Sequence, residues 1–171
     1  MSSSEGSRFP ALFVAILFLA GLTFIFSWLL DKQRNPNQSI RTQVSSDGSA
    51  QVTLHRNRSG HYLANGQIND SVVEFLLDTG ATQVVVPEAV ANQIGLIKGG
   101  VRTAHTANGV VEVYETRLDK VALGEIELTN VAASINPGMS GPEVLLGMSF
   151  LRHLELVQRD GQLKIRVPAS E

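Results

Sequence analysis

Val72–Pro87 reads VVEFLLDTGATQVVVP, an acidic turn between two apolar runs. Val72, Val73, Phe75, Leu76 and Leu77 precede Asp78-Thr79-Gly80-Ala81-Thr82, and Val84, Val85 and Val86 follow it. β-Branched and other apolar residues at this density favour strands. A carboxylate in the middle of such a run is costly to bury unless water or hydrogen-bond donors surround it. Gly80 permits a tight turn, and Thr79 and Thr82 bring hydroxyls. Asp78 can be read in two ways. It accepts local hydrogen bonds in an ordinary hairpin turn, since Asp, Thr and Gly are common turn residues. Or it is a carboxylate held by backbone donors at the mouth of a β core, where it can do chemistry.

The flanks extend the β pattern. Ala50–Arg56 (AQVTLHR) alternates in part, and His61–Ile68 (HYLANGQI) predicts a second strand with Asn65-Gly66 as a turn. Asn69-Asp70 punctuates before Val72. Downstream, Pro87-Glu88 opens a short helix over EAVANQIGL; Ala89, Val90, Ile94 and Leu96 share its apolar face and Gly95 stops it. Gly99–Val113 (GGVRTAHTANGVVEV) predicts a hairpin with Asn108-Gly109 at or near its tip. Strands are expected over Tyr114–Val121 and Glu125–Ile135, then a loop at Pro137–Pro142 and an apolar run ending at Gly147. One or two helical turns over Ser149–Leu154 lead to strands Glu155–Gln158 and Gln162–Val167, joined at Asp160-Gly161. Period-two segments dominate and no long helix is expected here. The fold class is therefore all-β: a small closed or partly closed barrel with one or two short helices.

Residues 1–8 form a polar, Ser-rich tail. Residues 9–30, FPALFVAILFLAGLTFIFSWLL, carry no charge and are long enough to span a bilayer as a helix. Trp28 suits an interface position. A cleaved signal peptide is the competing reading, but the apolar run is long for one and SWLLDKQRN lacks an A-x-A-like site. Residues 31–49, rich in Gln, Asn and Ser with Pro36, read as a flexible juxtamembrane linker. Residues 50–168 are the expected folded domain. Lys32, Arg34 and Arg41 flank the helix on that side against Arg8 on the other, which leans toward a cytoplasmic domain.

Composition removes several chemistries. With Lys+Arg 14 against Asp+Glu 16 and net charge −2, nothing suggests a nucleic-acid surface. There is no cysteine, so thiolate catalysis and Cys-ligated zinc are excluded. His55, His61, His105 and His153 match no compact zinc spacing, and no metal site is expected. No serine sits in a G-x-S-x-G elbow, and no phosphate-binding loop is present. Asp78 remains. One carboxylate cannot readily both activate water and protonate a leaving amine. Two that share a proton can, because like charges in contact separate their proton affinities. A two-fold dimer that brings Asp78 to its own copy is the simplest source of the second.

Leu77-Asp78-Thr79-Gly80-Ala81-Thr82 resembles the active-site motif of retropepsin-like aspartic proteases, and Leu145-Leu146-Gly147 resembles their second signature. The order also fits: acidic loop, hairpin, then apolar-apolar-glycine before a short helix. The resemblance covers about Gln51 to Val167 and is closest to bacterial members with one amino-terminal membrane helix. It implies that Asp78 is the catalytic carboxylate of a homodimer and that Thr79 hydrogen-bonds across the dimer axis. It implies that the Gly80 N–H approaches the carboxylate and that Ala81 fills the small-residue step. Thr82 departs from the retroviral pattern, which has an ion-pairing Asp there. Leu145 and Leu146 would lie in the core, with Gly147 beneath the loop. Thr103, Ala104, His105, Thr106, Ala107, Asn108, Gly109, Val110 and Val111 would form a flap. The implied activity is hydrolysis of extended protein or peptide substrates, with no cofactor and no nucleic-acid partner. The implied location is the bacterial inner membrane with a periplasmic domain, against the lean of the charge count. A membrane-anchored β-barrel binding or scaffold module without hydrolysis is the alternative, as is an unrelated β domain in which DTGAT is only a turn.

Overall fold

Helix α1 spans Arg8–Arg34 and is apolar around its whole circumference, with no polar face to mark a packing side. Its 27 residues rise about 40 Å, against a hydrocarbon core of about 30 Å. It is long and apolar enough to cross a membrane. Near its end Lys32 lies over the Trp28 ring, 4.4 Å from the centroid. The chain divides into two units, one ending at Arg34 and the other beginning at Asn35. The computed structural model describes residues 8–44, 49–106 and 109–168.

The second unit is mostly β. Its strands are β1 (Thr42–Val44), β2 (Ala50–His55), β3 (Leu63–Ile68), β4 (Ser71–Leu77), β5 (Val84–Pro87), β6 (Val101–Thr106), β7 (Gly109–Leu123), β8 (Ile126–Asn136), β9 (Glu143–Leu146), β10 (Glu155–Arg159) and β11 (Gln162–Arg166). Two short helices, α2 (Glu88–Gln93) and α3 (Met148–Leu151), interrupt them. One sheet runs β3-β4-β9-β5-β8-β7-β6, and an added β3–β7 pairing turns all but β6 into a ring. The other runs β1-β2-β11-β10. The core between them holds Leu54, Ile68, Phe75, Leu118, Ile135, Leu146, Phe150 and Ile165, each almost fully buried.

Local chemistry explains most boundaries. Asn69 and Asp70 both take positive φ (47° and 67°) and turn β3 into β4. Asp160 and Gly161 do the same (51° and 74°) between β10 and β11. Gly95, at φ 72°, ends the α2 turn.

Asn65-Gly66 is not a turn. β3 runs straight through it, pairing Asn65 with Glu74 and Gly66 with Val73. Gly66 is there for room: a Cβ would fall 2.5 Å from both the Ala122 carbonyl oxygen and the Phe75 ring. The strands expected from Gly109 onward merge into one long β7, which Thr106↔Gly109 pairing joins to β6. Ala107 and Asn108 lie outside the described residues.

Residues 31–49 also differ from a plain linker. Helix α1 continues to Arg34, and Asn35 and Asn37 are buried. The Asn37 amide donates to the carbonyls of His55 (2.9 Å) and Leu63 (2.6 Å) and accepts the His55 N–H at 2.7 Å. It thereby ties β2 to β3, strands of different sheets. Asn35 Nδ2 reaches Asn65 (2.9 Å) and Glu74 (3.0 Å). Then β1 pairs with β2, and Thr42 Oγ1 accepts the Glu125 N–H at 2.9 Å.

Candidate active site

The acidic loop sits where two parallel strands end together. β4 and β9 run side by side, with Leu76 opposite Leu145 and Leu77 opposite Leu146. The next residue on one strand is Asp78 and on the other Gly147. The two chain segments are stitched together from there. The Asp78 N–H donates to the Leu146 carbonyl (3.2 Å) and the Met148 N–H to the Ala81 carbonyl (2.8 Å). Gly147 is buried, and a Cβ there would fall 2.6 Å from the Ala81 carbonyl oxygen and closer still to that of Gln83. Only glycine lets the loop settle this deeply onto the start of α3.

Within the loop, Asp78 is half-buried. Its Oδ1 accepts the Gly80 N–H at 2.9 Å, and its carbonyl accepts the Ala81 N–H at 3.2 Å. The carboxylate is thus held by the backbone of its own turn, one face still open to water. Thr79, Gly80 and Thr82 are exposed, and Ala81 is half-buried. Leu146 is fully buried, whereas Leu145 is only partly so; alternation along β9 sends it to the other face.

Ser149 is a site residue that the pattern reading missed. Its Oγ accepts the Val84 N–H at 2.9 Å and fixes the strand that leaves the loop. Tyr62 was missed as well: its carbonyl accepts the Leu77 N–H at 3.0 Å, steadying the strand that enters the loop.

Of the hairpin, Thr103, Ala104, His105 and Thr106 pair with Glu112, Val111, Val110 and Gly109 respectively. Thr106 Oγ1 donates to the Gly109 carbonyl at 2.9 Å. All of these but Ala104 and Val111, which are half-buried, are exposed, so the hairpin is held by its ladder rather than by buried side chains. Among the described residues, no three of His, Asp and Glu gather in a way that could hold a metal ion.

Residues 64–153, which span both the acidic loop and the apolar-glycine step, match the family described as "gag-polyprotein putative aspartyl protease". The chain belongs to the retropepsin-like aspartic proteases. This retropepsin-like chain is 30% identical over 127 residues to the Sinorhizobium "Uncharacterized protein in cobV 5'region", covering 72% of itself and 54% of that protein. It is 25% identical over 156 residues to "Uncharacterized protein RP867" of Rickettsia prowazekii, covering 89% of itself and 66% of that one. It thus spans between half and two thirds of the length of these relatives. A crystal structure of a retropepsin-like aspartic protease from Rickettsia conorii shares the fold, with a TM-score of 0.57 at 23% identity, over 75% of this chain and 95% of that one.

Proposed function

We propose that this retropepsin-like chain is an aspartic endopeptidase that works as a homodimer, with Asp78 of one copy and Asp78 of its partner holding one water between them. The observation that carries this reading is the seat of Asp78: a half-open carboxylate whose Oδ1 is fixed 2.9 Å from the Gly80 N–H, in a loop clamped from below by Gly147. Preorganised donors around a charged group cost no reorganisation when the reaction occurs.

In this reading one Asp78 is ionised and takes a proton from the water. Its neutral mate hydrogen-bonds the scissile carbonyl oxygen. The water oxygen attacks the carbonyl carbon and gives a tetrahedral diol. Protonation of the amide nitrogen then lets the C–N bond break. Thr79 holds the two loops together across the axis, and Gly80 and Ala81 keep them thin enough to meet. Thr82 closes the loop without the ion pair that an acid there would make. The hairpin from Thr103 to Val111 closes over an extended peptide, adds backbone hydrogen bonds and excludes bulk water. The chemistry needs no metal or organic cofactor.

Helix α1 would anchor the enzyme in a bacterial inner membrane with the domain in the periplasm, so its substrates would be membrane-proximal proteins. Bacterial relatives and the uncharged length of the helix support anchoring. A carboxyl-terminal reporter active only outside the cytoplasm tests the orientation.

The activity itself is tested with full-length protein in detergent, wild type and Asp78→Asn, on a diverse peptide library. Cleavage by wild type and its loss in the variant, at unchanged circular dichroism, is the expected result. Equal cleavage by both would reject the assignment of Asp78. Binding of peptides without cleavage by either would favour a scaffold module instead.

A further inference from the structure

The four-stranded sheet β1-β2-β11-β10 packs one face on the core and turns the other to water. Val52 and Leu54 on β2 and Leu163 and Ile165 on β11 are buried, so alternation sends Gln51, Thr53, His55, Gln162, Lys164 and Arg166 outward. The registers set these side chains in rows. Lys164 lies opposite Thr53, Gln162 opposite His55 and Arg166 opposite Gln51. Arg41 immediately precedes β1, whose Thr42 pairs with Val52, and so comes to the far side of Thr53. Arg41 and Lys164 thus flank Thr53 in one row. With Gln51, His55 and Gln162 they line a groove of about 430 Å³, within the size range of small-molecule sites.

The charge on this face is one-sided. Among the described residues, Glu155 on β10 is its one carboxylate, and the Arg166 guanidinium already holds it at 2.5 Å. Arg159 meets the turn residue Asp160 at 3.3 Å. Arg41 and Lys164 are exposed and have no ion-pair partner among the described residues. Lys98, Arg102 and Lys120, elsewhere in the domain, each meet a Glu or an Asp. In a chain of net charge −2, two neighbouring cations without acids, set among hydroxyl and carboxamide groups, make a surface for anions.

The anion is identified by what the chain is tied to. Pro36, in the same groove, is two residues past Arg34, where α1 ends, and Arg41 is seven past it. Seven residues span at most about 25 Å, so a bilayer that holds α1 keeps its headgroups within reach of the groove at high effective concentration. A free acidic protein has no such tether. We propose that the outer face of this sheet docks on the anionic lipid phosphates of the membrane that holds α1. Arg41 and Lys164 make the charged contacts, and Thr53, Gln51 and Gln162 donate hydrogen bonds beside them. Docking holds the domain in one orientation on the bilayer instead of leaving it free to turn about its tether. The inference rests on the anchoring of α1 and is independent of peptide cleavage.

The full chain reconstituted in vesicles provides the test. It contains no cysteine, so Gln43→Cys, at the exposed rim of the face, takes a single environment-sensitive fluorophore. Val72→Cys, exposed on β4 of the other sheet, is the control. A blue shift from the label at 43, and none from the label at 72, is expected in phosphatidylcholine vesicles that contain phosphatidylglycerol. Phosphatidylcholine alone should give no shift, and raised salt should abolish it. Arg41→Gln and Lys164→Gln should each lower the docked-to-free ratio about fivefold, the contribution of one basic residue near an anionic bilayer. Arg41→Lys, which keeps the charge, should retain docking. Flotation with the vesicles reports the anchor separately. A chain that fails to float removes the anchor and this inference with it. A chain that floats but shifts equally in both lipids, shifts in neither, or is indifferent to R41Q and K164Q overturns the inference and leaves the anchor and the protease reading standing. A shift produced by added polyglutamate and not by phosphatidylglycerol would make the face a site for acidic protein segments and overturn the lipid assignment.

Discussion

A methyl group at position 147 has no space to occupy. The Gly147→Ala Cβ would sit 2.6 Å from the Ala81 carbonyl oxygen and nearer that of Gln83, both backbone atoms that cannot swing aside. The loop must lift, and overpacking of this kind costs roughly 1–3 kcal/mol. G147A should therefore lower the melting temperature and also abolish cleavage, because the lifted segment carries Asp78. Gly80 is a graded contrast: a Cβ there meets only Asp78 Oδ1, at 3.1 Å. Gly80→Ala should leave the melting temperature nearly unchanged and reduce kcat, because it displaces the carboxylate rather than the fold. Equal thermal losses in the two variants would contradict this division. Away from the site, the hydrogen bond to Asp70 raises the Lys120 ammonium above its ordinary value, helped by the Asp70 and Glu127 charges against a smaller loss from burial. That pair stabilises the fold while pH stays below the ordinary lysine value and loses its effect as pH rises through the raised one. Asp70→Asn should remove this alkaline limb from the stability profile, read as melting temperature against pH. Gly147 was legible in the sequence because an apolar-apolar-glycine step before a helix is a pattern. Ser149 was not, because a lone hydroxyl bonding one distant N–H leaves no periodic trace.

Hydrogen bonding rather than apolar burial holds the segment after α1, and this is why pattern reading treated it as a linker. Residues 35–44 have no hydrophobic period, yet Asn37 is 4% exposed and ties β2 to β3 through three hydrogen bonds. Asn37→Ala strands the buried Leu63 carbonyl and the part-buried carbonyl and N–H of His55. Each such orphan costs about 1–3 kcal/mol, and partial rescue by water suggests a total near 3 kcal/mol. Asn37→Asp keeps the acceptor and loses both donors, so it should be destabilising too. Urea denaturation of the full chain measures both, and a loss below about 0.5 kcal/mol, the range of ordinary surface changes, would show that the segment is dispensable. The opposite error occurred at Asn65-Gly66. Asn-Gly between β-prone residues is a strong turn signal, but this glycine serves the close approach of β3 to Ala122 and Phe75. Close approach and positive φ call for the same residue, and only tertiary contact tells them apart. The true turns, Asn69-Asp70 and Asp160-Gly161, were legible because their neighbours carry the strand pattern on both sides.

The strand order of the whole domain is its least local property. β9 lies between β4 and β5, and β3 reaches β7 to complete the ring, pairings between segments far apart in the chain. Alternation predicts that each strand exists and which face it buries; it carries no information on which strand lies beside it. The dominance of period-two segments supplied the barrel-like expectation, and the structure shows a ring-like sheet. It also explains why one chain offers a single acidic loop: β4 and β9 end together once, and their shared end holds one carboxylate, Asp78. A second must come from another molecule if the proposed chemistry is right. That requirement has a quantitative consequence. When Asp78→Asn protein is added to an equal amount of wild type and the copies exchange freely, about half of the wild-type chains end up facing an inactive mate. Wild-type activity should then fall to about half at equal amounts and continue to fall as the variant is raised, although no wild-type chain has been removed. Independent single-chain catalysis would leave activity unchanged at every ratio. Mixing in detergent at a concentration where sedimentation shows dimers, followed by initial-rate measurement, separates the two. A flat response in protein that is demonstrably exchanging would place the second acid elsewhere in the same chain and remove the need for symmetry.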